Sequence, residues 1–479
     1  MQSGRGGKHQ LPRNPGTPQA PAPASPSSSA VAGGGISLGV LLLAGWAVLS
    51  MTSREVRHSQ NGNLFVWPAD VTVYYQAVQH LFREHSLYDA TYVFDLPFTY
   101  PPFAAVVFSP MILMERKPLI VIWQLGSLVI LFAVIAATLR QRGYKWPSLF
   151  IISIAGVFAS FNLAAVHGTF FWGQINIYLM GLVALDFLRG SKGRLRGLGT
   201  GLAAGIKLTP ALSAIVFVLE RRWKPLFVAI GTFVVSVIAG CLLIPDGLRY
   251  WTRYMFETSR IGVQSNPGAH SLRGALYRWH NTDQIALWLI LDVLVIIVFL
   301  IAVRGAIKHE DLPMAMCLSG ITAPIIAPFS WYHHWVFLVP TGIVLICDIS
   351  KGFALATQRI HNNRVRWFVN QCGGFLSVAI VSVAFVPFVN PYSVPAFRNL
   401  AYSESFDPTI IPGSYVGTGI AILIVVALRY TIESAVTSST HAPQPSHTRQ
   451  TAYTPRHSAQ RRAPQKWGSP ARSSSRNHL

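Results

Sequence analysis

Apolar blocks of about 17 to 22 residues recur along almost the whole chain. That pattern decides the fold class, because an α-helix needs about 20 residues to cross about 30 Å of hydrocarbon. Only 12% of the 479 residues are charged, roughly half the share of a soluble domain. A transmembrane barrel would instead show segments of about ten residues with alternating polarity. The chain is therefore expected to be an all-α polytopic membrane protein with about ten to thirteen transmembrane or re-entrant helices. The blocks are 33–51, 119–139, 147–167, 171–188, 225–245, 285–304, 313–329, 332–348, 373–391 and 412–430, with two more ambiguous ones at 103–114 and 198–219.

The formal charge of +21 is concentrated in the tails and in a few loops. Residues 1–33 carry Arg5, Lys8 and Arg13 and no acid, while 437–479 carry Arg449, Arg456, Arg461, Arg462, Lys466, Arg472 and Arg476 and no acid. Both tails are rich in Ser, Pro, Gly, Gln and His, so 1–33 and 431–479 read as disordered flanks of a membrane domain at 34–430. Anionic lipid at the cytoplasmic leaflet accounts for their charge more simply than nucleic acid does. Cys241, Cys317, Cys347 and Cys372 have neither zinc spacing nor a disulfide pattern and are assigned to packing.

Basic clusters at Arg140–Lys145, Arg189–Arg196, Arg221–Lys224, Arg304–Lys308 and Lys351–Arg366 belong in the cytoplasm by the positive-inside rule. All of them fit only if 198–219 enters and leaves on one side, as a hairpin broken at Lys207-Leu208-Thr209-Pro210. A straight span would put Arg221–Lys224 outside. The hairpin reading makes both termini of this plasma-membrane protein cytoplasmic. Segments 53–117, 168–173, 246–284 and 329–334 then gather on the extracytoplasmic face.

Those segments hold the candidate chemistry. Asp70, in Val66-Trp67-Pro68-Ala69-Asp70, precedes a helical stripe at 71, 74, 75, 78, 81 and 82 that suits a helix lying along the membrane surface. An acid there suits a helix cap as well as a general base. Tyr100-Pro101-Pro102 stiffens the chain where it returns to the bilayer. Trp172, Gln174 and Asn176 offer an indole and two amides, matched to sugar hydroxyls or to helix–helix bonding. Arg273 and Arg278 offer planar forks for phosphate, with Lys207 as a possible partner. Trp331, His333 and His334 stand at the outer end of a span; adjacent histidines point about 100° apart and make a poor metal clamp. No Walker or dinucleotide-binding pattern occurs, so a transferase of this kind would take a lipid-borne donor.

Together these segments resemble glycosyltransferase family 87, the actinobacterial polyprenol-phosphate-dependent membrane mannosyltransferases of the type C glycosyltransferase fold. The resemblance is carried by Ala69-Asp70-Val71-Thr72-Val73-Tyr74, Phe98-Thr99-Tyr100-Pro101-Pro102, Trp172-Gly173-Gln174-Ile175-Asn176, Gly205-Ile206-Lys207-Leu208-Thr209-Pro210, Ser271-Leu272-Arg273-Gly274 and Ser330-Trp331-Tyr332-His333-His334-Trp335. It implies that Asp70 is the catalytic base, that the donor is mannose on a decaprenyl-type phosphate, and that the acceptor is a phosphatidylinositol mannoside, lipomannan or lipoarabinomannan. Related enzymes transfer arabinofuranose. Tyr332 stands where the family often has an acid, and Pro267-Gly268-Ala269-His270-Ser271 replaces an Asn-Gln-Ser run, which leaves the sugar and the acceptor position open. The expected mechanism is inverting: Asp70 is the base with His333 and His334 as further catalytic residues, Arg273, Lys207 and Arg278 bind the donor phosphate, and Tyr100, Trp172, Gln174, Asn176 and Trp331 hold sugar or acceptor. No cofactor, metal, nucleic acid or obligate protein partner is called for. A transporter or flippase for a lipid-linked sugar, with a midplane site at Lys207, is the alternative from another class.

Overall fold

The computed structural model describes residues 33–53, 68–189, 193, 195–390 and 410–440. Its helices are α1 Gly33–Thr52, α2 Ala69–Glu84, α3 Pro102–Phe108, α4 Arg116–Gln141, α5 Ser148–Ser160, α6 Ala164–Trp172, α7 Asn176–Leu188, α8 Leu198–Ile206, α9 Ala214–Leu219 and α10 Trp223–Leu243. They continue with α11 Gly247–Thr252, α12 Leu272–His280, α13 Ile285–Lys308, α14 Leu312–Ile326, α15 Leu338–Ala356, α16 Asn363–Ala384 and α17 Ile410–Thr440. Among the described residues, β pairing is confined to isolated bridges. Seven of these helices are long and apolar enough to cross a membrane, so the protein is an all-α, multi-pass membrane protein. One compact unit extends to Ser434, and residues 435–479 form a second, of which 435–440 are described.

Several expected spans are broken. The 147–167 block is not one helix: α5 stops at Ser160, and α6 starts afresh at Ala164. Asn162 fills the gap, its side chain donating to the Leu43 carbonyl and its own carbonyl accepting from Asn390 N–H. The helices α6 and α7 meet at 119° across Gly173-Gln174-Ile175, so the 171–188 block also starts late. The 332–348 span is likewise shorter at its start, because Tyr332–His334 form a 3-10 turn and α15 begins at Leu338. By contrast α16 begins ten residues before Gly373, at Asn363, where the Asn362 side chain accepts from two backbone N–H groups. The last helix runs past Tyr430 to Thr440. The tails at 1–32 and 441–479 lie outside the described residues, as do Val66, Trp67, Lys192 and Arg194.

The 198–219 segment folds back on itself. The helix α8 has nine residues, about 13 Å at 1.5 Å per residue, too short to cross hydrocarbon. The chain then extends at Lys207, makes a 3-10 turn at Thr209–Ser213 and returns as α9. Its two ends meet: Arg196 Nη2 lies 2.7 Å from Glu220 Oε2, with both side chains buried. The Asp186 carboxylate accepts from Gly197 N–H and from the N–H and hydroxyl of Thr200, pinning the same end to α7. The hairpin therefore presents Lys207 at its tip.

An ion-pair cluster locks one end of the bundle. Arg142, just past α4, reaches Asp311 before α14 (2.8 Å) and Asp348 on α15 (3.2 Å). Arg429 on α17 also pairs with Asp348, and the Tyr430 hydroxyl donates to Asp311.

Candidate active site

Two glycines allow close approaches around the site. Gly173 caps α6 with φ +68°, and a Cβ there would come 2.8 Å from Val71 and 2.9 Å from Pro68. The start of α2 therefore lies directly on the Trp172-Gly173-Gln174 turn. At Gly168 a Cβ would fall 2.3 Å from the Tyr332 ring, so the 330–335 segment packs against α6. These contacts gather residues from three parts of the chain.

Pro68 is the N-cap residue of α2 and Asp70 sits in its first turn, so the carboxylate is not the helix cap. Asp70 is half-buried and faces a cavity of about 380 Å³ together with Tyr74, Tyr100, Trp172, Gln174, Lys207, Trp331, Tyr332, His333 and His334. Burial pushes its carboxyl up to about 6, opposed by a hydrogen bond with the Gln174 side chain and by the charge of Lys207. Its exposed lining is apolar, with Leu96, Met255 and Ile261, and Pro97 and Phe329 add further apolar wall.

One hydrogen-bonded chain connects the polar groups. The Tyr74 and Tyr100 hydroxyls are 2.8 Å apart, and Tyr100 donates to Gln174 Oε1 (3.0 Å). Asn176 Nδ2 donates to the His333 carbonyl, while Asn176 Oδ1 accepts from Lys207 Nζ, each at 3.0 Å. Lys207 Nζ is also 3.0 Å from His334 Nε2 and 5.3 Å from the centre of the Tyr100 ring. With Nε2 accepting from the Lys207 ammonium, His334 Nδ1 carries the ring proton and donates to the Ser330 hydroxyl oxygen (3.2 Å). Both ring nitrogens of His333 are buried without a hydrogen-bond partner among the described residues, and the ring stacks beside Trp331. Trp172 Nε1 donates to the Tyr332 hydroxyl (2.9 Å), which makes Tyr332 a brace for the indole. Among the described residues no carboxylate forms an ion pair with Lys207, and no three His, Cys, Asp or Glu side chains cluster to hold a metal.

Of the residues singled out in the sequence, Asp70, Tyr100, Trp172, Gln174, Lys207, Trp331, His333 and His334 line this cavity, and Asn176 supports Lys207 from behind. Arg273 and Arg278 do not line it. Arg273 forms a two-point pair with Asp283 and lies over the Trp288 ring. Arg278 is buried and donates to the carbonyls of Gln264, Asn266 and Ala269, so it folds the loop ahead of α12. Ser271 caps α12 by accepting from Gly274 N–H, which accounts for the Ser-Leu-Arg-Gly run as a helix start. That loop holds the histidine segment: His270 N–H donates to the Ser330 carbonyl and Tyr332 N–H to the Gly268 carbonyl. The arginine that does line the cavity is Arg260. Sequence reasoning passed over it because it lies in an irregular loop beside Arg249 and Arg253, with no periodicity to set it apart.

A cavity of this kind, lined by one carboxylate, a half-buried lysine and apolar side chains, suits group transfer from an amphipathic donor. Comparison with known proteins agrees. The model of glycosyltransferase family 87 matches residues 98–328, beginning after Asp70 and ending before His333. A polyprenol-phosphate-mannose-dependent alpha-(1-2)-phosphatidylinositol pentamannoside mannosyltransferase of Mycolicibacterium smegmatis is 32% identical over 302 residues, covering 60% of this chain and 70% of that protein. A polyprenol-phosphate-mannose-dependent alpha-(1-2)-phosphatidylinositol mannoside mannosyltransferase of Mycobacterium tuberculosis is 29% identical over 297 residues, covering 58% and 69%. An alpha-(1->3)-arabinofuranosyltransferase of Mycobacterium tuberculosis is 27% identical over 215 residues, covering 43% and 48%. No solved structure matches. The chain is a membrane-embedded glycosyltransferase and belongs to glycosyltransferase family 87.

Proposed function

We propose that the enzyme transfers mannose from a polyprenyl phosphate to a hydroxyl of a mannosylated lipid or lipoglycan, with inversion at the anomeric carbon and an α-1,2 linkage, on the extracytoplasmic face. The observation that carries this reading is one cavity shared by Asp70 and Lys207. The relatives named for polyprenol-phosphate-mannose-dependent transfer to phosphatidylinositol mannosides support the choice of sugar and acceptor, and they cover more of the chain than the arabinofuranosyltransferase does.

The proposed step is a single displacement. Asp70 takes the proton of the acceptor hydroxyl, whose oxygen forms the new bond to C1. The bond from C1 to the phosphate oxygen breaks, and its electron pair leaves with the polyprenyl phosphate. The departing phosphate gains a negative charge, which Lys207 compensates from a low-dielectric site, where a fixed cation acts more strongly than in water. A phosphate leaves without needing a proton, so the second carboxylate typical of glycoside hydrolysis is not required. Gln174 and Trp172 orient sugar, and the unpartnered His333 nitrogens offer it two further hydrogen-bonding positions.

Purified protein in nanodiscs, given polyprenyl-phosphate mannose and a mannosylated lipid, should yield an acceptor one hexose heavier by mass spectrometry. Decaprenyl-phosphate arabinose in the same assay distinguishes a pentosyl transferase. Movement of the lipid-linked sugar across the bilayer with no new glycosidic bond would sink the proposal in favour of transport.

A further inference from the structure

On α11 and just after it, Arg249 pairs with Asp89 and Arg253 with Glu257. Arg260, in the loop that follows, has no ion-pair partner among the described residues. Its Nη2 donates to the Tyr88 carbonyl (2.9 Å), and its guanidinium lies 4.6 Å from the centre of the Tyr254 ring. Those two contacts fix the plane of a five-donor fork and use only part of it. The side chain lines the main cavity and also a recess of about 30 Å³, beside Thr99, Tyr250, Met255 and Glu257, whose carboxylate is engaged by Arg253. Met255 and Ile261 flank it in the apolar lining.

An arginine held open between the polar and apolar parts of a cavity lining is suited to a lipid phosphate. The donor phosphate is already accounted for. In an in-line displacement it sits across C1 from the acceptor oxygen, and hence within about one sugar ring of the base. Lys207 is the cation whose charge acts on Asp70. Arg260 belongs to a different loop, and none of its contacts is shared with Lys207. Resting on the proposed transfer, we infer that Arg260 binds the phosphodiester of an anionic lipid acceptor, so that the enzyme selects acceptors by charge at a second phosphate subsite, apart from the donor's.

The test uses the full chain in nanodiscs and two acceptors that present mannose: phosphatidylinositol monomannoside, which carries a phosphodiester, and octyl mannoside, which is neutral. The wild type should prefer the anionic acceptor in kcat/KM. Arg260→Gln should shrink that preference about tenfold or more, as expected for loss of a charge-assisted hydrogen bond, and Arg260→Lys should keep part of it. A preference that survives in Arg260→Gln, or is absent from the wild type, overturns the inference. So does a parallel rise in the KM for polyprenyl-phosphate mannose with both acceptors, which would assign Arg260 to the donor. Binding of phosphatidylinositol monomannoside without donor gives an independent reading. Arg260-dependent binding with no mannosyl transfer would sink the proposed function and leave the subsite standing, whereas equal binding by the wild type and Arg260→Gln would remove the subsite.

Discussion

An aspartate in the first turn of a helix is ordinarily stabilised by backbone N–H groups and the helix dipole, yet Asp70 has its carboxyl raised to about 6, because burial outweighs Gln174 and Lys207. Catalysis by the ionised form should therefore rise with pH through about 6 and level off above it, since protonation removes the base on the acid side. A kcat/KM profile flat between pH 5 and 8 would exclude Asp70 from that role. The Asp70→Asn protein should lose about two to four orders of magnitude in kcat. It should melt no lower than the parent, because the amide removes a buried charge that costs on the order of 3 kcal/mol. Turnover and thermal unfolding of the same preparation separate these two effects. Replacing Lys207 with Met should also lower kcat, with the deficit growing for donors whose leaving group is a poorer anion.

Short helices place these residues, and the breaks between them matter more than the helices. The break at Gly173 lets α2 rest on the tip of α6, with Pro68 and Val71 within reach of any added Cβ. Gly173→Ala should cost about 1 kcal/mol through its left-handed backbone alone. It should also shift Asp70 and lower turnover by between about tenfold and a hundredfold. Pairing it with Val71→Ala should recover part of the rate, and no recovery would mean that the contact with α2 is not what sets the base. The hairpin α8–α9 follows the same logic. Its two halves are each too short to span, so the tip residue Lys207 stops at depth and faces the cavity. The Lys-Leu-Thr-Pro break was legible in the sequence from its charge and its proline. The closeness of Arg196 to Glu220, which shows that both ends lie together, was not, because it is a contact between side chains 24 positions apart.

Across the whole molecule, a charged lock holds one end of the bundle and a polar cavity houses the proposed reaction. Removing Arg142 leaves Asp311 without a cation while Asp348 keeps Arg429, so Arg142→Met should destabilise the protein by about 3 kcal/mol, read as a lower thermal-unfolding midpoint in detergent. The proposed orientation places Ser265 outside and His361 inside. Ser265→Cys, but not His361→Cys, should react with a membrane-impermeant maleimide on intact cells, and the reverse pattern would invert the topology. Sequence alone determined the solvent: block length and scarcity of charge leave only membrane helices, because an unpaired backbone cannot sit in hydrocarbon. It also located most of the cavity, since Asp70, Lys207 and the Trp331–His334 run are polar groups that lipid would expel unless protein enclosed them. Only the tertiary structure decided which basic residue borders the reaction space. Arginine is long enough to serve a carboxylate, a carbonyl or an open cavity from the same loop. What Arg260, Arg273 and Arg278 each do is fixed by the neighbours that folding brings to them, and no spacing along the chain encodes those neighbours.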